Sequence, residues 1–246
     1  MKISYELIPN SLENIEREVK WLKNKKFNLI NIPDIQKFKI RSWEIDLNEN
    51  DFRNKSTTIY HIRAIDFDII DIDKIEELIS TYKLRKILVI KGDCTDRNKK
   101  VYNTTVIDLI KIIKSIDTSI EVYAAFDPYR QSIGSEINSM NKKLSAGADY
   151  LISQPFFDIN LIKTYCNLFD SSKLYFGISP VVSETSKNYW NNVNKVVFPI
   201  GFKPTYDWNI NFANKALDTI ELLGANAYFM PIKIDLDKYF GSIELE

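Results

Sequence analysis

The sequence predicts an α/β protein in which eight parallel strands close into a (β/α)₈ TIM barrel, a single domain over residues 1–246. Its 246 residues are typical of one such barrel. Short apolar β-type runs alternate with segments of helical period along the chain, which is typical of parallel strands with right-handed helical crossovers. The alternative is an open doubly wound sheet. No G-x-G-x-x-G or G-x-x-x-x-G-K-[ST] motif follows any predicted strand, which argues against the phosphate-binding forms of that sheet.

Runs rich in β-branched and aromatic residues are predicted as the eight strands. They span residues 5–9, 27–32, 57–64, 86–91, 121–126, 150–154, 174–178 and 227–230. Residues 196–198 are predicted as an extended connector. Between the strands, apolar residues recur at helical spacing, and Asn10 with Glu13 predicts a capping box for the first helix. The polar, irregular segment 34–55 is predicted to be a functional loop.

Composition excludes several classes of partner. Lys+Arg and Asp+Glu each number 33, so the balanced charge argues against nucleic acid or an anionic membrane as partner. No apolar run reaches the length that spans a bilayer, and an early charge at Glu6 argues against a secretory signal, so we expect a cytoplasmic protein. Cys94 and Cys166 form no C-x-x-C pair and are expected to be free thiols. A single histidine argues against a His-based metal cluster or a Ser-His-Asp triad, and no metal site is predicted.

Polar residues at strand ends are the candidates for chemistry, because side chains there face the active site of a barrel. These candidates are Glu6, His61, Arg63, Asp93, Asp127, Arg130 and Gln154. Glu6 suits a general acid, with a carboxylate paired to a neighbouring Arg or Lys as the alternative. His61 suits a structural hydrogen-bonding role at least as well as a ligand contact.

Further candidates suit a bound cofactor. Gly92 lets a ligand approach the backbone before Asp93, which alternatively caps a turn. Lys142 and Lys143 suit phosphate binding or an ordinary solvated helix face. The segment from Phe126 to Arg130 suits contact with a flat ring, or packing against the barrel rim.

Taken together and in order, these segments resemble the methylenetetrahydrofolate reductase family over nearly the whole chain. The most specific stretch runs from Lys143 to Asp158 and reads KLSAGADYLISQPFFD. The other matching stretches are Ser4-Tyr5-Glu6-Leu7-Ile8-Pro9, His61-Ile62-Arg63-Ala64-Ile65-Asp66, Ile90-Lys91-Gly92-Asp93, Tyr123-Ala124-Ala125-Phe126 and Gly177-Ile178-Ser179-Pro180-Val181.

The resemblance implies a barrel that binds FAD and passes a hydride from NAD(P)H to methylenetetrahydrofolate, giving 5-methyltetrahydrofolate. It implies that Glu6 is the acid of an E-x-x-P motif that opens the methylene bridge to an iminium, and that Gln154 meets the folate ring and nicotinamide. It implies that Asp93 acts beside the flavin ring. The positions it assigns to cofactor binding are His61, Lys91, Gly92, Asp93, Phe126, Arg130, Lys142 and Lys143.

The chain departs from the family pattern at the expected flavin edge and the folate–nicotinamide face, and it is short for the family. Residues 126–130 replace the family's Tyr-Pro-Glu-x-His run, so that Arg130 stands where the family has histidine. Pro33 falls where the family often has threonine, and residues 229–233 replace the terminal H-F-Y-T-L-N motif. Glu6, Asp93 and Gln154 are kept.

Three functions follow from the pattern. The first is a flavin-dependent methylenetetrahydrofolate reductase, an oxidoreductase acting on CH–NH groups, using NAD(P)H or another donor. The second is a non-reductase relative that binds folate or flavin, either as a homo-oligomer or as a subunit with a partner protein, or an enzyme running in the oxidising direction. The third, a proline-dehydrogenase-like flavin barrel, is disfavoured by the E-x-x-P strand and by the block that ends at Asp158.

Overall fold

The structure, a computed structural model, describes residues 1–23, 25–35, 38, 40–45, 57–93 and 100–245. Its parallel strands form a closed barrel in the chain order β1 to β8, which confirms the predicted fold class. The strands β1 to β8 span Ile3–Glu6, Leu29–Ile32, Thr58–Arg63, Lys86–Ile90, Glu121–Phe126, Tyr150–Pro155, Leu174–Ile178 and Asn226–Phe229.

Helices occupy most of the connections between strands. The helices α1 to α8 span Leu12–Leu22, Ile72–Tyr82, Val106–Ile116, Ile133–Ser145, Ile159–Leu168, Glu184–Asn192, Tyr206–Leu222 and Leu236–Phe240. In the described part of the connection after β2 there is only a 3₁₀ turn, Ser42–Glu44, whereas two helices, α6 and α7, follow β7. No helix in the described ranges is long and apolar enough to cross a membrane.

The chain divides into two compact units. The amino-terminal unit comprises Glu6–Ala125 and Met140–Leu151, and in it strands β2 to β5 pair in parallel, with His61 opposite Leu88. The carboxy-terminal unit comprises Met1–Tyr5, Phe126–Ser139 and Ile152–Glu246, and in it β8 pairs with both β1 and β7. The single-domain organisation of residues 1–246 stays a prediction.

The first strand ends earlier than the sequence pattern predicts, with a consequence for the candidate acid. β1 runs over Ile3–Glu6 instead of residues 5–9, although Leu7 still donates its backbone N–H to the carbonyl of Asn31 at 2.9 Å. Pro9 has no N–H to offer a ladder, which limits any extension of the strand. Glu6 is therefore the last residue of β1 and not an interior one.

The first helix is capped by a different residue from the one predicted. Ser11 has extended backbone angles and its Oγ accepts the backbone N–H of Asn14 at 3.2 Å, so the predicted box of Asn10 and Glu13 is wrong. An N-cap side chain must reach the N–H of the second or third helical residue, and helix α1 begins at Leu12. Asn10 instead accepts a side-chain hydrogen bond from Asn14 at 2.7 Å.

Replacing Ser11 with alanine is expected to lower the free energy of unfolding by about 1 kcal/mol, because a helical N–H loses its acceptor. Urea denaturation measures the change. Asn10→Ala is the matched control, since it removes only an exposed side-chain bond and should cost less. A larger loss in the Asn10 variant than in the Ser11 variant contradicts the assignment of the cap.

Candidate functional site

Glu6 stands at the carboxyl end of β1, where barrel enzymes place reacting groups. Its side chain is half-buried, and the flanking Tyr5 and Leu7 are 0% and 1% exposed. The sequence therefore places a carboxyl group at a strand end between two buried apolar residues. Its assignment as the acid stays a prediction.

His61 lies in the interior of the amino-terminal unit, on β3. It is 5% exposed, and its Nε2 lies 3.2 Å from the Oδ1 of fully buried Asn31. Burial lowers the pKa of His61 from 6.5 to about 3, so the ring is neutral at physiological pH. A neutral ring whose Nε2 faces an amide oxygen carries its proton on that nitrogen. Ser42 donates from its hydroxyl to the His61 carbonyl at 2.6 Å, which fixes the same stretch of β3.

Gly92 and Asp93 form a turn that Arg63 holds from inside the protein. Arg63 is 2% exposed and donates from Nη2 to the Asp93 carbonyl at 2.5 Å. Gly92 has a φ of +85°, and a Cβ there would lie 2.6 Å from Arg63 Nε. Glycine is therefore required both by the backbone conformation and by the close approach of an arginine. The side chains of Lys91 and Asp93 are exposed.

A group of buried charges beside this turn was missed by the sequence reasoning. Arg41 binds both carboxylate oxygens of Asp34 at 2.9 and 2.6 Å and one of Asp66 at 2.6 Å. Arg41 also lies 4.2 Å from the ring of Trp43, and Arg63 lies 3.8 Å from Asp66. The available signal was an aspartate shortly after each of β2 and β3, with arginines nearby in sequence.

The predicted functional loop, residues 34–55, is described only in part. Its described residues include this charged group, whereas residues 36, 37, 39 and 46–55 lie outside the described residues, as does Cys94. Cys166 is half-buried, and burial raises the pKa of its thiol to about 11. A protonated thiol is a poor nucleophile, so the Cys166 environment does not resemble that of a reactive cysteine.

The two lysines of α4 differ in what they contact. Lys143 is half-buried and donates from Nζ to the carbonyl of Ala125 at 2.7 Å, which ties the helix to the end of β5. Lys142 is exposed. Of this pair, Lys142 presents its charge to solvent, and phosphate binding by either lysine stays a prediction.

Phe126 is a packing residue in the carboxy-terminal unit. It is 2% exposed, and its ring centroid lies 5.4 Å from that of Tyr165, 6.3 Å from Phe156 and 6.4 Å from Phe176. The ring therefore takes part in an aromatic cluster, in line with the packing alternative. Contact with a cofactor stays a prediction.

Gln154 owes its position to a glycine on the neighbouring strand. Gln154 is half-buried in β6, and a Cβ on Gly177 of β7 would lie 2.9 Å from the Gln154 carbonyl carbon and oxygen. The same Cβ would lie 2.5 Å from Met230 Cε. Ser153 Oγ accepts the Gly177 N–H at 2.7 Å. Gly177 thus permits the backbone separation that places Gln154.

The loop after β7 is fastened by Asn209, another residue that the sequence reasoning missed. Asn209 is 2% exposed, accepts the Val181 N–H at 2.9 Å and donates to the Val181 carbonyl at 2.8 Å. It also donates to the Thr205 carbonyl at 2.7 Å. A lone amide on the buried face of amphipathic helix α7 was the available signal.

Acid sensitivity provides a test of the His61 environment. A pKa of about 3 in the folded state, below the ordinary 6.5, means that the unfolded chain binds a proton more readily as pH falls through 6.5. The stability that neutral His61 contributes is therefore complete above 6.5 and is lost toward pH 3. Between pH 7 and 5 the wild type should lose about 2 kcal/mol more than His61→Gln, as urea unfolding measures. Because both proteins share every carboxylate, equal losses contradict a buried neutral histidine.

Comparisons with known proteins agree on one family. The model of the family described as methylenetetrahydrofolate reductase matches residues 48–215. The 5,10-methylenetetrahydrofolate reductase of Buchnera aphidicola subsp. Schizaphis graminum is 24% identical over 187 residues, which cover 72% of this chain and 61% of that protein. The enzyme of the same name from Escherichia coli K12 is 24% identical over 157 residues, 61% of this chain and 52% of that protein. The chain therefore spans between about half and three fifths of these relatives.

Solved structures share the barrel at low identity. A protein from Clostridium thermocellum that binds two copies of 5-methyl-5,6,7,8-tetrahydrofolic acid superimposes with a TM-score of 0.69 at 14% identity, covering 98% of this chain and 93% of that one. The 2,3-dimethylmalate lyase of the PEP mutase/isocitrate lyase superfamily gives 0.56 at 9% identity, covering 95% and 75%. These likenesses show the fold alone. The family model covers more than half of the sequence, and the chain belongs to the methylenetetrahydrofolate reductase family.

Proposed function

We propose that the protein is a flavin-dependent reductase of folate one-carbon metabolism that converts 5,10-methylenetetrahydrofolate to 5-methyltetrahydrofolate. The observation that carries the proposal is Glu6, a half-buried carboxyl group at the carboxyl end of β1 in a member of this family. A protein of the same fold that binds 5-methyltetrahydrofolate supports a folate as ligand.

Glu6 would act as the general acid. Opening the methylene bridge to an iminium requires a proton on the departing ring nitrogen, and a carboxyl group must be protonated to deliver it. Partial burial between Tyr5 and Leu7 disfavours an ionised carboxyl relative to water, which suits that role. Gln154 would contact the folate ring, with its backbone placed by Gly177.

The residues assigned to FAD by resemblance fit its chemistry. Lys91, Lys142 and Arg130 each have an exposed cationic side chain, which complements a diphosphate. The turn at Gly92 has no side chain to exclude a ring, and Asp93 presents an exposed carboxylate beside it. FAD, when bound, would supply hydride transfer from NAD(P)H to the folate. The negative charge of Asp93 would then oppose a gain of electron density nearby.

A second candidate is a non-reductase relative that binds folate or flavin, alone or with a partner subunit, or an enzyme running in the oxidising direction. One observation favours it. His61, Phe126 and Lys143 have side chains engaged within the protein, with Asn31, with an aromatic cluster and with the Ala125 carbonyl. These three contribute fewer groups to a cofactor than the resemblance implies.

Replacing Glu6 with glutamine is expected to lower the rate of folate reduction by about 10²- to 10⁴-fold, because the amide cannot donate the proton. The affinity for FAD should stay unchanged. Anaerobic stopped-flow absorbance, in which methylenetetrahydrofolate reoxidises the reduced protein, measures the rate. Glu13→Gln makes the same charge change at an exposed site on α1 and should keep the wild-type rate. Full activity in the Glu6 variant would sink the proposed acid.

A methyl group at Gly177 is expected to raise the KM for methylenetetrahydrofolate about tenfold or more, because it displaces the Gln154 backbone or Met230. Gly134→Ala is the matched control, since a Cβ there meets nothing within 4 Å. Steady-state kinetics give KM, and cooperative thermal unfolding verifies that each variant is folded. An unchanged KM in a folded Gly177→Ala protein removes Gln154 from the folate site.

A further inference from the structure

The turn after β5 presents an arginine whose binding groups face outward. The Arg130 side chain is 76% exposed, and its Nε lies 3.4 Å from Asp127 Oδ2. Because this pair uses Nε, the two terminal nitrogens have no partner among the residues that the structure describes. A guanidinium group binds a carboxylate or phosphate through parallel N–H donors. Arg130 thus has donors available for an anion.

A buried glutamate holds both ends of this turn. Glu136, in α4, is 4% exposed, and its Oε1 accepts the backbone N–H of Asp127 at 3.2 Å. Its Oε2 accepts Nε2 of Gln131 at 2.5 Å. Between these ends, Tyr129 packs against the apolar cluster that includes Phe157. The turn from Asp127 to Gln131 is therefore fixed at both ends and at its centre.

Asp127 passes this order on to the arginine. Its Oδ1 accepts the Tyr129 N–H at 2.9 Å while Oδ2 faces Arg130 Nε. The aspartate rotamer is thereby set by the turn, and the guanidinium is paired with the aspartate. Ordering a free arginine side chain costs about 2 kcal/mol of conformational entropy, so part of this cost is met before any ligand arrives.

We propose that Glu136 is a positioning residue that acts through the Asp127–Gln131 turn to orient Arg130 toward an oxyanion of the ligand. The shared chemistry is a phosphate or carboxylate group. The source of that group rests on the proposed function, because the diphosphate of FAD and the glutamate carboxylates of a folate both supply it. The orientation of Arg130 by Glu136 does not depend on which of them binds.

Inorganic pyrophosphate tests the anion site without flavin or folate chemistry. Titration calorimetry is expected to show binding to the wild type that weakens about tenfold in Arg130→Gln, which loses charge-assisted hydrogen bonds. Arg85→Gln is the matched control, because Arg85 is 60% exposed and pairs with Asp117 at the same 3.4 Å. It should bind within about twofold of the wild type. Equal losses in the two variants, or no binding by the wild type, overturn the proposal.

A double-mutant cycle tests the role of Glu136. Glu136→Met removes both acceptors and is expected to weaken pyrophosphate binding about fivefold. Glu136→Gln should restore wild-type binding, because the Gln131 amide can turn to accept from it. The protein carrying both Glu136→Met and Arg130→Gln should bind no more weakly than Arg130→Gln alone. An additive loss in the double variant means a general structural role and overturns the positioning role.

The source of the anion is found with matched ligands. If FAD depends on Arg130 and riboflavin does not, the diphosphate is the group bound. If 5-methyltetrahydrofolate depends on Arg130 and its analogue lacking glutamate does not, the carboxylate is the group bound. If pyrophosphate binding depends on Arg130 and Glu136 while the wild type binds neither FAD nor 5-methyltetrahydrofolate, the inference stands and the proposed function fails. If both ligands bind with no dependence on Arg130, the proposed function survives and the inference fails.

Discussion

Closure of the eight-stranded parallel sheet is the constraint on which the rest of the structure depends. Every strand is only four to six residues long, so each must give its backbone groups to neighbours on both sides. With so little length inside the sheet, the last residue of a strand and the first of the following loop carry much of the available chemistry. Glu6 is the last residue of β1, and Asp127 and Arg130 directly follow β5. The same short strands make glycine at Gly177 a structural requirement, because a side chain there would press on β6.

Buried polar groups at the strand ends are neutralised by partners instead of being left to solvent. Arg41 is bound by Asp34 and Asp66, and leaving a buried charge without its partner typically costs about 3–5 kcal/mol. His61 meets burial differently, because its pKa falls and the ring stays neutral against Asn31. These contacts make the described surroundings of the Gly92 turn well ordered by side-chain bonds. A ligand approaching that turn therefore meets a fixed backbone.

The order of elements could be predicted from sequence, whereas the partners of the site residues could not. Alternating apolar runs and helical periods place all eight strands, and β5 and β7 fall on the predicted residues 121–126 and 174–178. The cap of α1 was missed by one residue because Asn10 and Ser11 are both good caps and only backbone angles separate them. The bond between Lys143 and the Ala125 carbonyl joins residues 18 apart, and a backbone acceptor leaves no mark on side-chain composition. Asn209 and Glu136 were overlooked because each lies within a helix, away from the strand ends where the search concentrated.

Function in this family member depends on whether the barrel holds a flavin that exchanges electrons with folate. The visible absorption spectrum of the purified protein with added FAD tests this most directly. The account predicts flavin bands that bleach under NADH or NADPH and return on addition of methylenetetrahydrofolate. A colourless protein that takes up no FAD, or a bound flavin that methylenetetrahydrofolate leaves reduced, would contradict it.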